Sequence, residues 1–309
     1  MMERVGERGR VLRTIGGVYW VEVADEILEC SLRGRLKRER GIGRVAVGDE
    51  VEIERLADGS GVISGVLPRR SRLSRRSAEG RREQIIAANV DQLAAVFSVA
   101  GPTPLFQLLD RFLVLAESNE ISAFIVLNKI DLAAAEGAHE RFDIYEGIGY
   151  PLIRTSAAAR QGLEVLRDRL SGRITLLVGP SGVGKSSLLN ELQPGLGLRV
   201  GEISRAIQRG RHTTVSASLQ RLDVGGYVVD TPGLGKLRFW EAGSQELAWC
   251  FREFRPYLGG CKFPDCRHIH EPDCAVIRAL ELGQLSRQRY DSYMQILEER
   301  ETDSTRRRE

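Results

Sequence analysis

The chain has 309 residues, 42% hydrophobic and 28% charged, with a formal net charge of +3 at pH 7. That length allows two or three domains with cores of their own, and the mildly basic balance means that any nucleic-acid surface must come from local clustering. No apolar run is long enough to span a bilayer, and the first eight residues lack the apolar core of a signal peptide, so a cytoplasmic protein without membrane contact is expected.

From residue 10 to about 67 the pattern is all-β. Val11–Ile15, Val18–Val23, Ile27–Leu32, Val51–Ile53 and Gly61–Ile63 are short segments rich in strand formers, and Gly16-Gly17, Ala24-Asp25 and Asp58-Gly59 separate them like turns. Five short strands suit an OB-fold barrel, which commonly binds single-stranded nucleic acid. The basic loop Arg33 to Arg40 would track phosphates; the plainer reading is a solvated loop on an SH3-like barrel. Leu67 to Arg82 carries Arg69, Arg70, Arg72, Arg75, Arg76, Arg81 and Arg82 against Glu79 alone. With Pro68, Gly80 and several serines, it reads as a basic linker able to contact RNA phosphates.

An α/β domain starts near Ile85. Leu93–Val99 reads as a buried strand and Leu105–Asn119 as a helix with Leu108, Leu109, Phe112, Leu115 and Ala116 on its core face. The apolar strand Ile121–Leu127 runs into Asn128-Lys129-Ile130-Asp131. A carboxylate at Asp131 can accept hydrogen bonds from the ring N–H and exocyclic amine of guanine, a donor pair that adenine lacks. Lys129 can lie over the base, and Asn128 can tie this loop to another. Thr155-Ser156-Ala157 resembles a second guanine-contacting box.

After the helical stretch Gly162–Leu170 and the strand Ile174–Val178 comes Gly179-Pro180-Ser181-Gly182-Val183-Gly184-Lys185-Ser186, continuing through Ser187 into a helix. It fits G-x-x-x-x-G-K-[ST] at every position, preceded by a strand and followed by a helix. Such a loop turns successive backbone N–H groups toward phosphate, Lys185 reaches the β- and γ-phosphates, and the Ser186 hydroxyl completes a Mg²⁺ shell. GTP binding is therefore expected at Asn128, Lys129, Asp131, Ser156, Ala157, Gly179 to Ser187, Asp230 and Gly233. Asp230-Thr231-Pro232-Gly233 reads as the Mg²⁺ and γ-phosphate box, so Mg²⁺ would sit on Ser186, Asp230 and a threonine.

That threonine falls in the aperiodic stretch Gly201–Val215, where a first switch should lie. Thr214 is favoured over Thr213, which sequence cannot separate from it. Many GTPases have a water-orienting glutamine after the glycine of the γ-phosphate box; here Leu234 stands in that place. His212, beside the threonines, is then the candidate to orient water, with Lys185 and Thr214 completing the catalytic set. A loop histidine touching phosphate or RNA is the alternative. The guanine loop precedes the phosphate loop, the reverse of the usual order, so the domain is circularly permuted.

Leu247, Phe251, Phe254 and Leu258 space out as one helix face. Cys261, Cys266 and Cys274, three of five cysteines, flank His268 and His270. Three thiolates and one imidazole make a closed tetrahedral shell, as in structural zinc sites. Ser286 would cap a last helix from Arg287 to about Glu299, with disorder expected past 300.

The permuted order, Gly210-Arg211-His212-Thr213-Thr214 and the C-x4-C-x-H-x5-C spacing together resemble the ribosome-small-subunit-dependent GTPase family, RsgA or YjeQ, over nearly the whole chain. The resemblance implies an N-terminal OB-fold (1–68), a basic linker (69–84), a permuted P-loop GTPase (85–235) and a C-terminal α-helical zinc-binding domain (236–309). It makes His268 the fourth zinc ligand beside Cys261, Cys266 and Cys274, with His270 a neighbour. It implies a monomeric GTPase that hydrolyses GTP to GDP and phosphate, stimulated by the small ribosomal subunit and its rRNA, in late subunit maturation. A GTPase acting on another RNA such as tRNA, and a GTP-regulated RNA-binding chaperone, are the alternatives.

Overall fold

The computed structural model describes residues 6–34, 36, 45–76, 83–132, 140–196, 217–230 and 244–305. Its first five strands are β1 (Glu7–Ile15), β2 (Val18–Val23), β3 (Glu26–Leu32), β4 (Glu50–Arg55) and β5 (Gly61–Val66). Alternate residues point inward, so Val11, Val21, Leu28, Cys30, Val51, Ile53 and Ile63 fill the interior. The strands pair in the order β1-β2-β3-β5-β4, and β4 returns to β1 and closes the barrel. This is the expected OB-fold. A bulge in β1 between Val11 and Arg13 breaks the alternation. Bulges re-aim side chains, and Leu12 leaves the barrel to join the core of the next domain.

The segment expected as a linker contains an antiparallel ribbon, β6 (Arg72–Arg76) and β7 (Glu83–Ala88). Two of its arginines are already committed to carboxylates. Arg69 bonds the fully buried Asp49 at 2.6 Å and Arg70 bonds Asp91 at 2.9 Å. Neither is the free phosphate contact that the charge run suggested. Arg81 and Arg82 lie outside the described residues, as do most of the basic loop after Arg33.

The α/β domain is built on β8 (Gln92–Ser98), β9 (Ser122–Asn128), β10 (Leu152–Arg154), β11 (Ile174–Val178), β12 (Ser218–Arg221) and β13 (Tyr227–Asp230), in the order β10-β9-β8-β11-β13-β12. All pairs are parallel except β12–β13. The strands are apolar on both faces because helices cover both. Leu93, Ala95, Phe97 and Ile125 meet α1 (Phe106–Ser118) and α2 (Glu140–Ile148) through Phe112 and Tyr145. Ala94, Val96, Phe124 and Leu177 meet α3 (Leu163–Leu170) and α4 (Lys185–Leu192) through Leu166 and Leu188. β12 also pairs with β1, so barrel and α/β sheet form one continuous 11-stranded sheet.

The C-terminal unit holds α5 (Ser244–Trp249), a 3₁₀ helix (Arg252–Tyr257), α6 (Ala275–Glu281) and α7 (Arg287–Thr305). The single helix expected through Leu247, Phe251, Phe254 and Leu258 is broken. Pro256 has no N–H to continue an α-helical ladder, and the second piece tightens to 3₁₀. The last helix runs to Thr305, past the expected end at Glu299 and into residues expected to be disordered. An ion pair between Arg267 and Glu301 ties its last turns to the cysteine-rich loop. Helix α1 carries this unit: Val114 enters its core, and Glu117 accepts Arg252 at 2.7 Å and Arg255 at 2.6 Å.

Candidate nucleotide-binding site and metal centre

The phosphate loop leaves β11 at Val178. Gly179, Gly182 and Gly184 take φ of +146°, +83° and +98°, which L side chains rarely adopt. Space forbids a side chain as well, since a Cβ on Gly179 would stand 2.0 Å from the Val96 carbonyl oxygen and one on Gly184 2.3 Å from Asn128 Nδ2. The chain therefore wraps closely and delivers Lys185 and Ser186, both buried, to the first turn of α4. The Lys185 ammonium donates to the Gly179 and Pro180 carbonyls at 2.8 and 2.7 Å. Phosphate oxygens in the loop would compete for those same N–H groups and would add charge to the exchange.

Asn128, at the end of β9, joins three segments. Its Nδ2 donates to the Val183 carbonyl at 2.9 Å, and its Oδ1 accepts from Thr155 Oγ1 at 3.2 Å and from the Ala157 N–H at 3.3 Å. Lys129 donates to the Gly182 carbonyl at 2.7 Å and also to that of Gly101. Ser156 Oγ donates to Asp131 Oδ1 and accepts the Ala159 N–H at 2.9 Å, which fixes the carboxylate's direction before any base arrives. The structure thus brings together Asn128, Lys129, Asp131, Ser156, Ala157 and Gly179 to Ser187. Thr155, read from sequence as the opening of the Thr155-Ser156-Ala157 box, gives its hydroxyl to Asn128. Gly101 was not singled out from sequence and has no local signal.

Asp230 ends β13, in register with Ser218. His212, Thr213, Thr214, Gly233 and Leu234 lie outside the described residues.

In the C-terminal unit, Cys261, Cys266, His268 and Cys274 place their ligand atoms within 4.8 Å of one another. Bonds of about 2.3 Å to sulfur and about 2.0–2.1 Å to nitrogen at tetrahedral angles put sulfurs about 3.8 Å apart and nitrogen about 3.6 Å from sulfur. Cys261 and Cys274 sulfurs are 3.8 Å apart, and His268 Nδ1 lies 3.6 and 3.3 Å from them. The cluster fits a structural zinc ion with no open position, and the exposed His270 is outside it. Burial pushes the Cys266 thiol up to about 12, raises Cys274 and lowers His268. Burial thus favours the neutral imidazole that a metal needs, and a bound cation would offset the cost of deprotonating the thiols. The supporting shell is complete. Tyr290 OH donates to the His268 carbonyl and Tyr293 OH to that of Arg267, both at 2.7 Å. Burial works to raise the Glu271 carboxyl, but N–H groups of Arg267, Ile269 and His270 prevail and hold it down at about 2.

A family model for the RsgA GTPase matches residues 66–240, and one for the RsgA N-terminal domain matches residues 8–63. The chain belongs to the RsgA GTPase family. It is a GTP phosphohydrolase with a circularly permuted catalytic domain between a barrel and a zinc-site domain. Proteins called Small ribosomal subunit biogenesis GTPase RsgA are similar over nearly their whole length. That of Gemmatimonas aurantiaca is 47% identical over 296 residues, 94% of this chain and 96% of the relative. That of Caldanaerobacter subterraneus is 40% identical over 306 residues, 99% of each. Among solved structures, YjeQ from Thermotoga maritima superposes with a TM-score of 0.79 at 38% identity, covering 95% of this chain and 98% of that one. YloQ, described as a circularly permuted GTPase, gives 0.75 at 30%, covering 98% of both. Among the described residues of this RsgA-family chain, no helix is long and apolar enough to cross a membrane.

Proposed function

We propose that this chain is a cytoplasmic, monomeric small-subunit maturation factor. It binds GTP, hydrolyses it when docked on the small ribosomal subunit, and acts late in that subunit's assembly. The observation that carries the nucleotide reading is the Asn128 carboxamide, which holds the guanine loop, the Thr155-Ser156-Ala157 box and the phosphate loop in one assembly. The ribosomal part of the reading rests on the names of the relatives, with the barrel, the basic segments and the zinc domain as RNA-facing parts. The proposed units are 1–68, 69–84, 85–235 and 236–309.

In this reading Asp131 accepts the guanine N–H groups, Lys129 covers the base, and Ser156 and Ala157 close the base pocket. Backbone N–H groups from Gly179 to Ser187 and the Lys185 ammonium take the phosphates, with Gly233 facing the γ-phosphate. Ser186, Asp230 and Thr214 would hold Mg²⁺, which neutralises charge between the β- and γ-phosphates. His212 orients the attacking water. Because Leu234 cannot hold water, the isolated protein should turn over far below the roughly 1–100 s⁻¹ of well-organised phosphoryl-transfer sites. Docking would supply position and electrostatics rather than a new chemical step.

Turnover measured with and without purified small subunits tests this. Acceleration is expected, and His212→Ala should keep GTP and subunit binding while losing most of it. Equal acceleration by tRNA would replace the ribosome as partner, and GTP binding without turnover under any condition would make the protein a nucleotide-switched RNA chaperone. Full stimulation in His212→Ala would remove the histidine from the mechanism.

A further inference from the structure

Strands β12 and β13 form a hairpin whose second strand ends on Asp230, and the OB-fold barrel holds that hairpin at both ends. At the open end Arg13 of β1 is in register with Ser218, and Ser218 in turn with Asp230, so a barrel residue and the aspartate share one row across the sheet. At the turn end, Glu22 of β2 accepts a hydrogen bond from Arg221 Nη1 at 3.0 Å and another from the Tyr227 hydroxyl. Arg221 and Tyr227 face each other as a registered pair. A single carboxylate from the barrel therefore staples the two strands together, and it is only 9% exposed.

The same end is reinforced from both sides. Arg221 also reaches Asp25 at 3.2 Å, and the Arg10 guanidinium lies 5.0 Å from the centre of the Tyr227 ring. Between the ends, the bulged Leu12 packs into one core with Leu219 and Val229. The strands of the hairpin are four residues each. Parallel pairing with β11 along Tyr227 to Val229 holds β13 from its other side, so the hairpin is gripped between β11 and the barrel. One of the two supports of the hairpin that ends on Asp230 is thus supplied by another domain.

We propose that Glu22 is a positioning residue for the γ-phosphate side of the nucleotide site, acting through its bonds to both strands of the β12–β13 hairpin. The proposal rests on reading Asp230 as the aspartate of the Mg²⁺ and γ-phosphate box. Since GDP has no γ-phosphate, a loosened hairpin weakens GTP binding selectively. Whatever grips the barrel then biases the nucleotide site through the same staple, and the bias runs equally in both directions.

The test is the ratio of affinities for a non-hydrolysable GTP analogue and GDP, both with Mg²⁺, in the full chain. Glu22→Ala should lower analogue affinity about 5- to 10-fold and change GDP affinity less than about twofold. Tyr227→Phe removes one hydroxyl and keeps the ring, so it reports even if Glu22→Ala folds poorly, and it should move the ratio in the same direction. The double variant should be no worse than Glu22→Ala alone, because both act through one staple. A ratio within about twofold of wild type in both single variants, with only thermal stability lowered, overturns the proposal, as does equal loss of both nucleotides. Asp230→Asn separates the two layers of the reading. If that variant keeps the wild-type ratio, the aspartate's assignment fails and the proposal with it. If it loses the ratio while the staple variants keep it, the proposal alone fails.

Discussion

Replacing Arg289 by Met should release the C-terminal unit from helix α1. Arg289 and Asp110 are both 0% exposed and 2.5 Å apart. The guanidinium also bonds Glu253 at 2.6 and 3.2 Å and stands over the Phe251 ring at 4.6 Å. Burial works to lower the arginine's pKa, yet the two carboxylates prevail and hold it well above its usual value. Methionine fills similar volume but leaves Asp110 and Glu253 facing each other without a cation. Breaking a buried ion pair on one side costs about 3–5 kcal/mol, so amides of α7 should exchange about 10²- to 10⁴-fold faster. Hydrogen exchange is the appropriate assay because a multidomain chain has no single unfolding free energy. Acceleration under about tenfold would show that solvent already reaches the pair and would refute this account.

Asp131→Asn should lower GTP affinity about 10- to 100-fold and shift preference toward xanthosine triphosphate, because a carboxamide can donate to the extra carbonyl; competition binding reads this directly. Unchanged GTP affinity would mean the base is read elsewhere. Gly184→Ala puts a methyl 2.3 Å from Asn128 Nδ2 at a φ of +98°. It should cost about 1–3 kcal/mol of domain stability and abolish nucleotide binding, checked by calorimetry. Cys274→Ser should lower bound zinc and melt the C-terminal unit while leaving GTP affinity within about twofold, and metal analysis of fresh wild-type protein that finds no zinc would reject the premise.

The phosphate and guanine loops were legible because their chemistry is local: a few consecutive residues between a strand and a helix state what they bind. The same holds for Cys261 to Cys274, where three thiols crowded around two histidines announce a metal shell, although the choice of His268 over His270 came with the family resemblance. Partners far apart in sequence were not legible. Nothing near Glu22 announces Arg221 and Tyr227, and an arginine in the polar helix that carries Arg289 is read as a surface residue by every compositional rule. The ribbon at Arg72–Arg76 was hidden because a run of arginines masks the alternation that marks a strand. Pro256 was in plain view, but the regular spacing of Leu247, Phe251, Phe254 and Leu258 outweighed it, and the backbone gave the proline precedence.

The continuity of the sheet also bears on solubility. Taken without the barrel, the α/β sheet would end on β12 at one side and on β10 at the other. β10 is only three residues long, too short to template another chain. β12 would present open N–H and C=O groups beside Leu219, whose barrel neighbour Leu12 would be gone. Open edges of that kind recruit foreign strands, and natural proteins cover, charge or shorten them. Here the cover is an entire domain. The barrel thus serves as an edge guard for its neighbour, and a fragment beginning at β8 should self-associate at concentrations where the full chain stays dispersed.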